Sequence, residues 1–280
     1  MPTVKDVARR FLPKGLRSHL LAAYHGWDLL PLACDPATLA RLHRLQCSTS
    51  RWAPGEAQVS LRLRPLEGGR VRVRPHTADI FSVRDTFLSR YHLPPAQPGA
   101  PAVTRVWDLG ANIGLTAAHM AVLFPSARIL AVELDGANAD LCRENLSGWS
   151  ARCEVMQAAV WPTDGEVEYE LAARDEQSFR AQDARAPRDP ARARAPSIAL
   201  NTLLAREDPD AAIDVVKMDI EGAEEQVLSE HTEWAERVRT IIVEVHEPYD
   251  VDRCRGDLDA LGFETTIDDN HWAAVLGVRP

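Results

Sequence analysis

The sequence predicts an α/β fold with a mostly parallel, seven-stranded sheet that ends in an antiparallel hairpin. From residue 103 onward, short apolar runs alternate with helical stretches, which is the pattern of a parallel sheet covered on both faces. The last two strand patterns, FETTID and AAVLGV, are joined only by residues 269–272. That link is too short for a parallel crossover, so these two strands must pair antiparallel.

Five further strands precede that hairpin. They are predicted at residues 103–109, 128–134, 153–160, 213–219 and 239–245. Helices are predicted between most of them, at 114–124, 136–147 and 222–237. The antiparallel ending distinguishes the class I methyltransferase version of the Rossmann-like fold from the all-parallel dinucleotide-binding version.

A smaller α+β segment is predicted before the sheet. Residues 3–24 suggest two short helices, and another helix is expected at 36–46, with Asp35 as its N-cap and Pro36 in its first position. The alternating patterns VSLRLRP and RVRVRP flank the glycines of residues 66–69, which predicts a β-hairpin.

A Pro/Gly/Ala-rich linker at residues 94–102 sets the predicted domain boundary. Residues 1–98 are expected to form a cap on the acceptor side, and residues 99–280 the catalytic domain. Within the latter, residues 162–196 interrupt the alternation with a strand-like EVEYEL and a polar Ala/Arg/Asp/Pro tract. This insert is either a slack surface loop or a lid over a ligand.

Composition limits the classes of function. The chain has 280 residues, of which 45% are hydrophobic and 26% charged, as in ordinary globular proteins. A net charge of -9 disfavours nucleic acid as a partner. The five cysteines are scattered without any CxxC pair, which argues against disulfides and zinc and favours a cytoplasmic location. Neither a secretion signal nor a membrane span is expected, and a homo-oligomer is left open.

A glycine loop is predicted at VWDLGANIGL, residues 106–115, because the motif follows a strand and begins a helix. Gly110 and Gly114 allow a tight turn and a close approach to a ligand. Asn112 replaces a middle glycine, and asparagine is the residue other than glycine that best tolerates positive φ.

Two carboxylates suggest S-adenosylmethionine as the cofactor of this loop. Asp108 would repel a pyrophosphate but suits the ammonium of a methionyl group, and Glu133 ends the next strand, where it can accept from ribose hydroxyls. Gln157 and Ala158, at the tip of the third strand, are candidates for the adenine edge. Alternatively, Asp108 and Glu133 only cap the following helices.

The segment DVVKMDIEGAE, residues 214–224, places charges in an apolar strand. If it lies parallel to TIIVEVHE, Lys217 comes near Glu244 and Asp219 near His246. Lys217 and Glu244 would then form a buried structural ion pair. The outer pair would lie at the carboxyl ends of the strands, where open α/β sheets hold their ligands.

The outer pair allows two chemistries. His246, oriented by Asp219, can remove a proton from a hydroxyl during in-line methyl transfer. The less favoured arrangement places a divalent cation such as Mg²⁺ among Asp219, Glu244 and His246. Glu221 is expected mainly to favour the start of the next helix through the helix dipole, although it could also reach inward.

The motifs VWDLGANIGL, AVELD and DVVKMDIEGAEEQVL, with IIVEVHE downstream, resemble those of the FkbM-type methyltransferases over roughly residues 79–280. The resemblance implies cofactor roles for Asp108, Gly110, Asn112 and Glu133 and catalytic roles for Asp219, Glu221 and His246. It also makes Asp79 and Tyr91 candidates for the cofactor or acceptor pocket.

This family methylates hydroxyl groups of sugars and polyketide-type natural products, often in bacterial secondary metabolism. The resemblance therefore implies an S-adenosylmethionine-dependent O-methyltransferase that acts on a small hydroxylated acceptor. The alternatives of another class are an NAD-dependent dehydrogenase and a cofactor-binding subunit without catalysis.

Overall fold

A computed structural model describes residues 28–47, 58–94, 102–170, 181–183, 192–208, 210–268 and 271–280. The chain divides into two compact units, Met1–Phe87 and Leu88–Pro280. The helices predicted within residues 3–24 lie outside the described residues. The acceptor-side role of the N-terminal segment stays a prediction.

The first unit contains the predicted helix and hairpin. Its elements are α1 (Pro36–Cys47), β1 (Val59–Arg62), β2 (Arg70–Val73) and α2 (Asp79–Arg84). The Thr38 backbone amide donates to Asp35 Oδ1 at 2.7 Å, which confirms the predicted N-cap. Strands β1 and β2 pair antiparallel with Leu61 opposite Val71, and both of these side chains are buried.

The second unit contains two sheets and five α-helices in its described part. In chain order its strands are β3 (Arg105–Leu109), β4 (Arg128–Glu133), β5 (Cys153–Gln157), β6 (Ala159–Val160), β7 (Gly165–Glu170), β8 (Ala181–Asp183), β9 (Arg192–Ile198), β10 (Ile213–Met218), β11 (Val238–Glu244), β12 (Glu264–Ile267) and β13 (Ala274–Val278). Its helices are α3 (Leu115–Leu123), α4 (Gly136–Asn145), α5 (Leu200–Leu204), α6 (Glu224–Ser229) and α7 (Val251–Ala260).

The large sheet has seven strands in the order β12-β13-β11-β10-β3-β4-β5. Strands β11, β10, β3, β4 and β5 run parallel, whereas β13 is antiparallel to both of its neighbours. The predicted class I methyltransferase fold is therefore confirmed. Strand β10 is buried along its whole length, and Trp107 and Trp234 belong to the core cluster packed around the sheet.

Two predicted elements are divided in the structure. The strand expected at 153–160 is interrupted at Ala158, so that β5 belongs to the large sheet and β6 to a second one. The helix expected at 222–237 consists of α6 and a separate 3-10 helix, Thr232–Arg237. His231 lies between them with φ 52°, a left-handed conformation that an α-helix does not accommodate.

The insert at 162–196 contributes strands to the second sheet, which has the order β6-β9-β7-β8. Val167, Tyr169 and Ala195 alternate into a buried face, and the buried Glu168 binds Arg194 at 2.6 Å. The described parts of the insert are therefore ordered strands and not a slack loop. Residues 171–180 and 184–191 lie outside the described residues, so a lid stays a prediction.

Strands β3, β4, β10 and β11 are parallel, so their carboxyl ends share one edge of the large sheet. The sequence-predicted site residues that follow these strands are therefore brought to a common edge. No helix in the described part of the chain has the length and apolar character needed to cross a membrane.

Candidate active site

The glycine loop, residues 110–114, joins β3 to α3 at this edge. Gly110, Asn112 and Gly114 have positive φ values of 76°, 48° and 81°. Asn112 thus adopts the left-handed conformation that the sequence predicted for it. The backbone amides of Gly110 and Ala111 both donate to the Val132 carbonyl at 2.9 Å, which holds the loop against the end of β4.

Gly110 is required by close packing as well as by its backbone conformation. A Cβ atom at this position would lie 1.7 Å from the carbonyl oxygen of Asp219. The Asp219 amide in turn donates to the Leu109 carbonyl at 3.0 Å. The backbone at Asp219 is therefore fixed directly against the loop, where a larger residue than glycine could not fit.

Asp108 is fully buried beneath the loop. No donor in the described residues meets strict hydrogen-bond geometry with either carboxylate oxygen, but the Lys217 ammonium lies 3.6 Å from Oδ1, and the Ala117 amide in α3 also acts to lower the Asp108 pKa. Burial raises the pKa of Asp108 to about 6, although the Lys217 charge opposes that shift. A buried carboxylate with open acceptor positions can bind a cationic group such as an ammonium.

Glu133 ties the glycine loop to the end of β4. Its Oε2 accepts from the Asn112 amide at 2.7 Å, and its Oε1 accepts from the Asp135 amide at 2.9 Å. Burial raises its pKa to about 7. The capping alternative is wrong for Glu133, because Asp135 is the N-cap of α4. A hydrogen bond from the Asn138 side chain also acts on the Glu133 carboxylate. Gln157 lies opposite Glu133 in the sheet, and the Ala158 amide donates to the Glu133 carbonyl at 2.9 Å.

Lys217 connects the glycine loop to the charged residues of β10. Its buried ammonium donates to the Gly110 carbonyl at 2.9 Å and to Asp219 Oδ2 at 3.2 Å. Burial alone would lower the pKa of Lys217. The carboxylates of Asp219, Asp108 and Glu244 outweigh that effect and hold the pKa above its usual value.

The predicted Lys217–Glu244 ion pair is not formed, because the register of the two strands differs from the expected one. Lys217 lies opposite Ile242, two residues before Glu244. Glu244 Oε2 instead accepts from the Tyr91 hydroxyl at 2.6 Å, and its Oε1 lies 3.7 Å from His271 Nε2. Burial and the Asp219 charge raise the pKa of Glu244. The negative charge of Glu244 still helps to raise the pKa of Lys217, although the two side chains form no ion pair.

His246 lies among three carboxylates rather than beside Asp219 alone. Its Nδ1 is 2.9 Å from Glu224 Oε1, while its Nε2 is 3.4 Å from Glu221 Oε2 and 3.6 Å from Asp219 Oδ1. These four residues are called the reacting cluster below. Burial lowers the pKa of His246, but hydrogen bonding to Glu224 and the three negative charges raise it to about 9.

Glu221 was expected mainly at the helix start, yet it points toward His246 and is half-buried. Its backbone has φ 56°, so the chain turns sharply between β10 and α6. Burial and the neighbouring Asp219 charge raise its pKa to about 8, against the lowering effect of His246. The cluster therefore retains protons at neutral pH.

Glu224 is the functional residue that sequence reasoning missed. Its side chain is fully buried, accepts from the amides of Ile220 at 3.3 Å and Gly222 at 3.2 Å, and faces His246. The only available signal was a carboxylate at the first helical turn followed by an apolar face. Such a carboxylate is common at exposed helix starts.

A family model described as "Methyltransferase FkbM domain" matches residues 108–265. The chain belongs to the FkbM methyltransferase family. Methyltransferase sdnD of Sordaria araneosa is 30% identical over an alignment of 207 positions, which covers 62% of this chain and 78% of that protein.

Two solved structures illustrate more distant likeness. Methyltransferase FkbM from Methylobacillus flagellatus KT is 14% identical, with 94% of this chain and 60% of that chain covered and a TM-score of 0.45. Precorrin-6y C5,15-methyltransferase from Geobacter metallireducens GS-15 is 12% identical, with 72% and 88% covered and a TM-score of 0.41.

Membership of the FkbM family identifies the protein as an S-adenosylmethionine-dependent methyltransferase. The NAD-dependent dehydrogenase considered from the sequence is therefore excluded. The residues present fit the cofactor in one respect: Asp108 is a buried carboxylate beneath the glycine loop, and neither of its oxygens has a donor in strict hydrogen-bond geometry within the described residues. The individual cofactor contacts stay predictions.

Asp79 and Tyr91, which only the FkbM resemblance nominated, have defined partners. Asp79 is buried in the first unit, where the Arg74 side chain donates to its carboxylate at 2.8 and 3.1 Å. Tyr91 binds Glu244 and its ring packs on His271 at a centroid distance of 4.7 Å. Tyr91 thus contacts the carboxyl end of β11, whereas a ligand role for Asp79 stays a prediction.

One group with metal-ligand chemistry lies within the described residues of this FkbM-family site. Asp219, Glu221 and His246 each offer one ligand atom, and these atoms lie within 4.8 Å of one another. The set predicted from the sequence contained Glu244 in place of Glu221. The observed register and the bond from Tyr91 explain the replacement.

Proposed function

We propose that this enzyme transfers a methyl group to a hydroxyl of a small acceptor, such as a sugar or another natural-product intermediate. The observation that carries the proposal is the position of Lys217, whose ammonium binds both the Gly110 carbonyl and the Asp219 carboxylate. The glycine loop and the reacting cluster are therefore neighbours, as an in-line transfer from cofactor to acceptor requires.

S-adenosylmethionine supplies a methyl group made electrophilic by its sulfonium. Asp108 is the candidate for its ammonium and Glu133 for its ribose, while Gln157 and Ala158 are candidates for the adenine edge. Gly110, Asn112 and Gly114 supply the close backbone surface. The support is the burial of Asp108, neither of whose oxygens has a donor in strict hydrogen-bond geometry within the described residues, together with the position of Glu133 at the end of β4 against the glycine loop.

The reacting cluster accounts for the second requirement, which is removal of the hydroxyl proton. Glu224 fixes the His246 ring through Nδ1, so that Nε2 faces Asp219 and Glu221. A neutral imidazole held in this way can accept a proton at Nε2. Because the pKa of His246 is raised to about 9, its neutral fraction grows as the pH rises from 7 toward 9, and the rate of transfer should grow with it.

The charge of the protein favours neutral or cationic acceptors. The net charge is -9, and the reacting cluster contributes three carboxylates around one imidazole. Phosphate-rich partners such as nucleic acids would be repelled from this edge. A hydroxylated sugar or polyketide-type acceptor meets no such penalty, which agrees with the substrates of the family that the sequence resembles.

The test is methyl transfer from labelled S-adenosylmethionine to a panel of sugars and hydroxylated natural products, with the product bond assigned by NMR. His246→Gln should lower the rate by roughly a hundredfold to ten-thousandfold while leaving S-adenosylhomocysteine affinity unchanged. Substitution of the exposed His43 by Gln is the matched control and should retain the wild-type rate.

Two results would count against the proposal. Methylation only at nitrogen or carbon would remove the O-methyltransferase assignment. Tight binding of S-adenosylhomocysteine without transfer to any acceptor would favour a cofactor-binding subunit instead. An undiminished rate in His246→Gln would remove His246 from the proton-transfer step but leave the reaction class intact.

A further inference from the structure

Three side chains with metal-ligand chemistry converge at the carboxyl ends of β10 and β11. Asp219 Oδ1 and Glu221 Oε2 lie 3.6 and 3.4 Å from His246 Nε2. Neighbouring ligand atoms of an octahedral ion with bonds of about 2.1 Å lie about 3.0 Å apart. Both distances to Nε2 are therefore about half an ångström longer than in a finished coordination shell, and the three ligand atoms lie within 4.8 Å of one another, so side-chain rotation could close them on an ion.

The histidine is already oriented as a ligand. Glu224 contacts Nδ1 at 2.9 Å and is itself fixed by the amides of Ile220 and Gly222, so Nε2 is the nitrogen that faces the two carboxylates. A carboxylate on the far nitrogen of a histidine is the usual support of a metal-bound imidazole, because it sets the tautomer and raises the ligand's basicity.

Glu224 also provides an observation that is independent of the three ligands. Its side chain is fully buried, and its Oε2 has no hydrogen-bond partner in the described part of the chain. A buried carboxylate with an unused oxygen costs free energy unless positive charge lies nearby. A cation held by His246 and its two neighbours would supply that charge on the far side of the imidazole that Glu224 contacts.

The surrounding charges leave room for a cation rather than neutralising the cluster. Lys217 binds Asp219 through Oδ2 and leaves Oδ1 toward His246. Glu244 is directed to the Tyr91 hydroxyl instead. Three carboxylates, Asp219, Glu221 and Glu224, thus meet at this edge around one ammonium and one imidazole, and a bound cation would replace the protons that His246 and Glu221 hold near neutral pH.

We propose that Asp219, Glu221 and His246 bind a divalent cation, with Glu224 supporting His246 from behind. Two carboxylates and one imidazole form a mainly hard donor set, which suits Mn²⁺ and Mg²⁺ better than softer ions. The three protein ligands leave coordination positions for water and for an acceptor oxygen. The inference rests on the proposed function only for this last role. Because a ligating Nε2 cannot also accept a proton, the cation-bound enzyme would ionise the bound hydroxyl directly and release its proton to solvent in place of His246.

The site is tested by measuring Mn²⁺ binding to the full chain. The protein is first treated with chelator and saturated with S-adenosylhomocysteine, and bound Mn²⁺ is monitored by electron paramagnetic resonance. We expect one Mn²⁺ per chain, competed by Mg²⁺. Glu221→Gln and His246→Gln should each weaken binding at least tenfold. Glu224→Gln should weaken it by about tenfold to a hundredfold through the histidine.

Two control variants make the assignment specific. Glu244→Gln removes the carboxylate that the sequence had nominated and should change Mn²⁺ affinity less than threefold, because Tyr91 holds Glu244 outside the ligand set. Glu230→Gln removes a charge from an exposed position beyond α6 and should have no effect. S-adenosylhomocysteine affinity and circular dichroism report whether each variant is folded. If Glu221→Gln does not fold, Glu221→Asp is measured in its place.

The inference is overturned if the folded wild-type protein binds S-adenosylhomocysteine but no Mn²⁺ at millimolar concentration. Equal Mn²⁺ affinity in wild type, Glu221→Gln and His246→Gln would also overturn it. Mn²⁺ binding without methylation of any hydroxyl would refute the proposed function and leave the cation site standing. Full methylation of a hydroxyl in the presence of chelator would refute the catalytic role of the cation and leave the proposed function standing.

Discussion

The two ends of the site edge in the second unit are built by different means. At the ends of β3 and β4, the glycine loop is fixed by backbone: two amides donate to the Val132 carbonyl, and Gly110 packs against the Asp219 carbonyl. At the ends of β10 and β11, the reacting cluster is fixed by side-chain charges around His246. The glycine loop should therefore be most sensitive to added side-chain volume, and the reacting cluster to the removal of a charge.

This difference suits the two tasks. A cofactor common to a whole family can be held by backbone atoms, which every sequence supplies once the glycines are in place. A proton or a cation must instead be held by groups whose charges adjust to one another. Burial and the Asp219 charge raise the pKa of Glu221, and the neighbouring carboxylates raise that of His246. Lys217 is the residue that belongs to both ends.

Removing Lys217, which contacts both ends, should have the largest effect on the free energy of unfolding. Lys217→Met should lower the free energy of unfolding by roughly 3 to 5 kcal/mol at pH 8, because Asp108 would be left buried without its counter-charge. The loss should shrink at pH 5, since a protonated Asp108 needs no cation. Urea unfolding at both pH values measures it.

Arg206→Met is the control for Lys217→Met. It breaks an exposed ion pair with Glu154 and should cost less than about 1 kcal/mol. A Lys217→Met loss as small as that of Arg206→Met would contradict the assignment of Lys217 as a buried counter-ion shared by the two ends.

Next in size, an added methyl group should break the backbone-built end. Gly110→Ala should cost about 3 kcal/mol, because its Cβ would meet the Asp219 carbonyl at 1.7 Å and its φ of 76° is strained for alanine. Cofactor binding and stability should fall together. Gly148→Ala, where a Cβ meets nothing within 4 Å, should change the unfolding free energy by less than about 0.5 kcal/mol.

A changed charge at the reacting cluster should have a smaller effect that depends on pH. The folded pKa of His246 is raised from 6.5 to about 9, so its contribution to stability is complete below pH 6.5 and is lost as the pH rises through 9. In chelator, the wild-type free energy of unfolding should fall by up to about 3 kcal/mol over this window.

Glu224→Gln should flatten that fall, because the Glu224 contact and charge are the main effects that raise the His246 pKa against burial. Glu225→Gln, one residue along the helix and bound to Arg253, should keep the wild-type slope. Identical slopes in Glu224→Gln and wild type would mean that Glu224 does not control His246. NMR titration of the His246 ring provides the same comparison directly.

The predictions succeeded where a local pattern was enough. The spacing of apolar residues and the length of the last loop predicted the parallel strands and the antiparallel ending. Asparagine at position 112, in place of a glycine, indicated a left-handed backbone conformation. They failed where two strands had to be aligned. Nothing in residues 213–219 states which residue of the next strand lies opposite, and a shift of two residues separated Lys217 from Glu244.

By itself, the sequence determined the fold class, the glycine loop and the presence of carboxylates at the strand ends, because these depend on chain periodicity and on the conformations that single residues allow. Only the tertiary structure decided which charges meet. It brought the buried Glu224 to His246, Tyr91 to Glu244, and Lys217 to both Gly110 and Asp219. Electrostatic coupling falls off over a few ångströms, so strand register and burial, which no local pattern encodes, set the chemistry of the site.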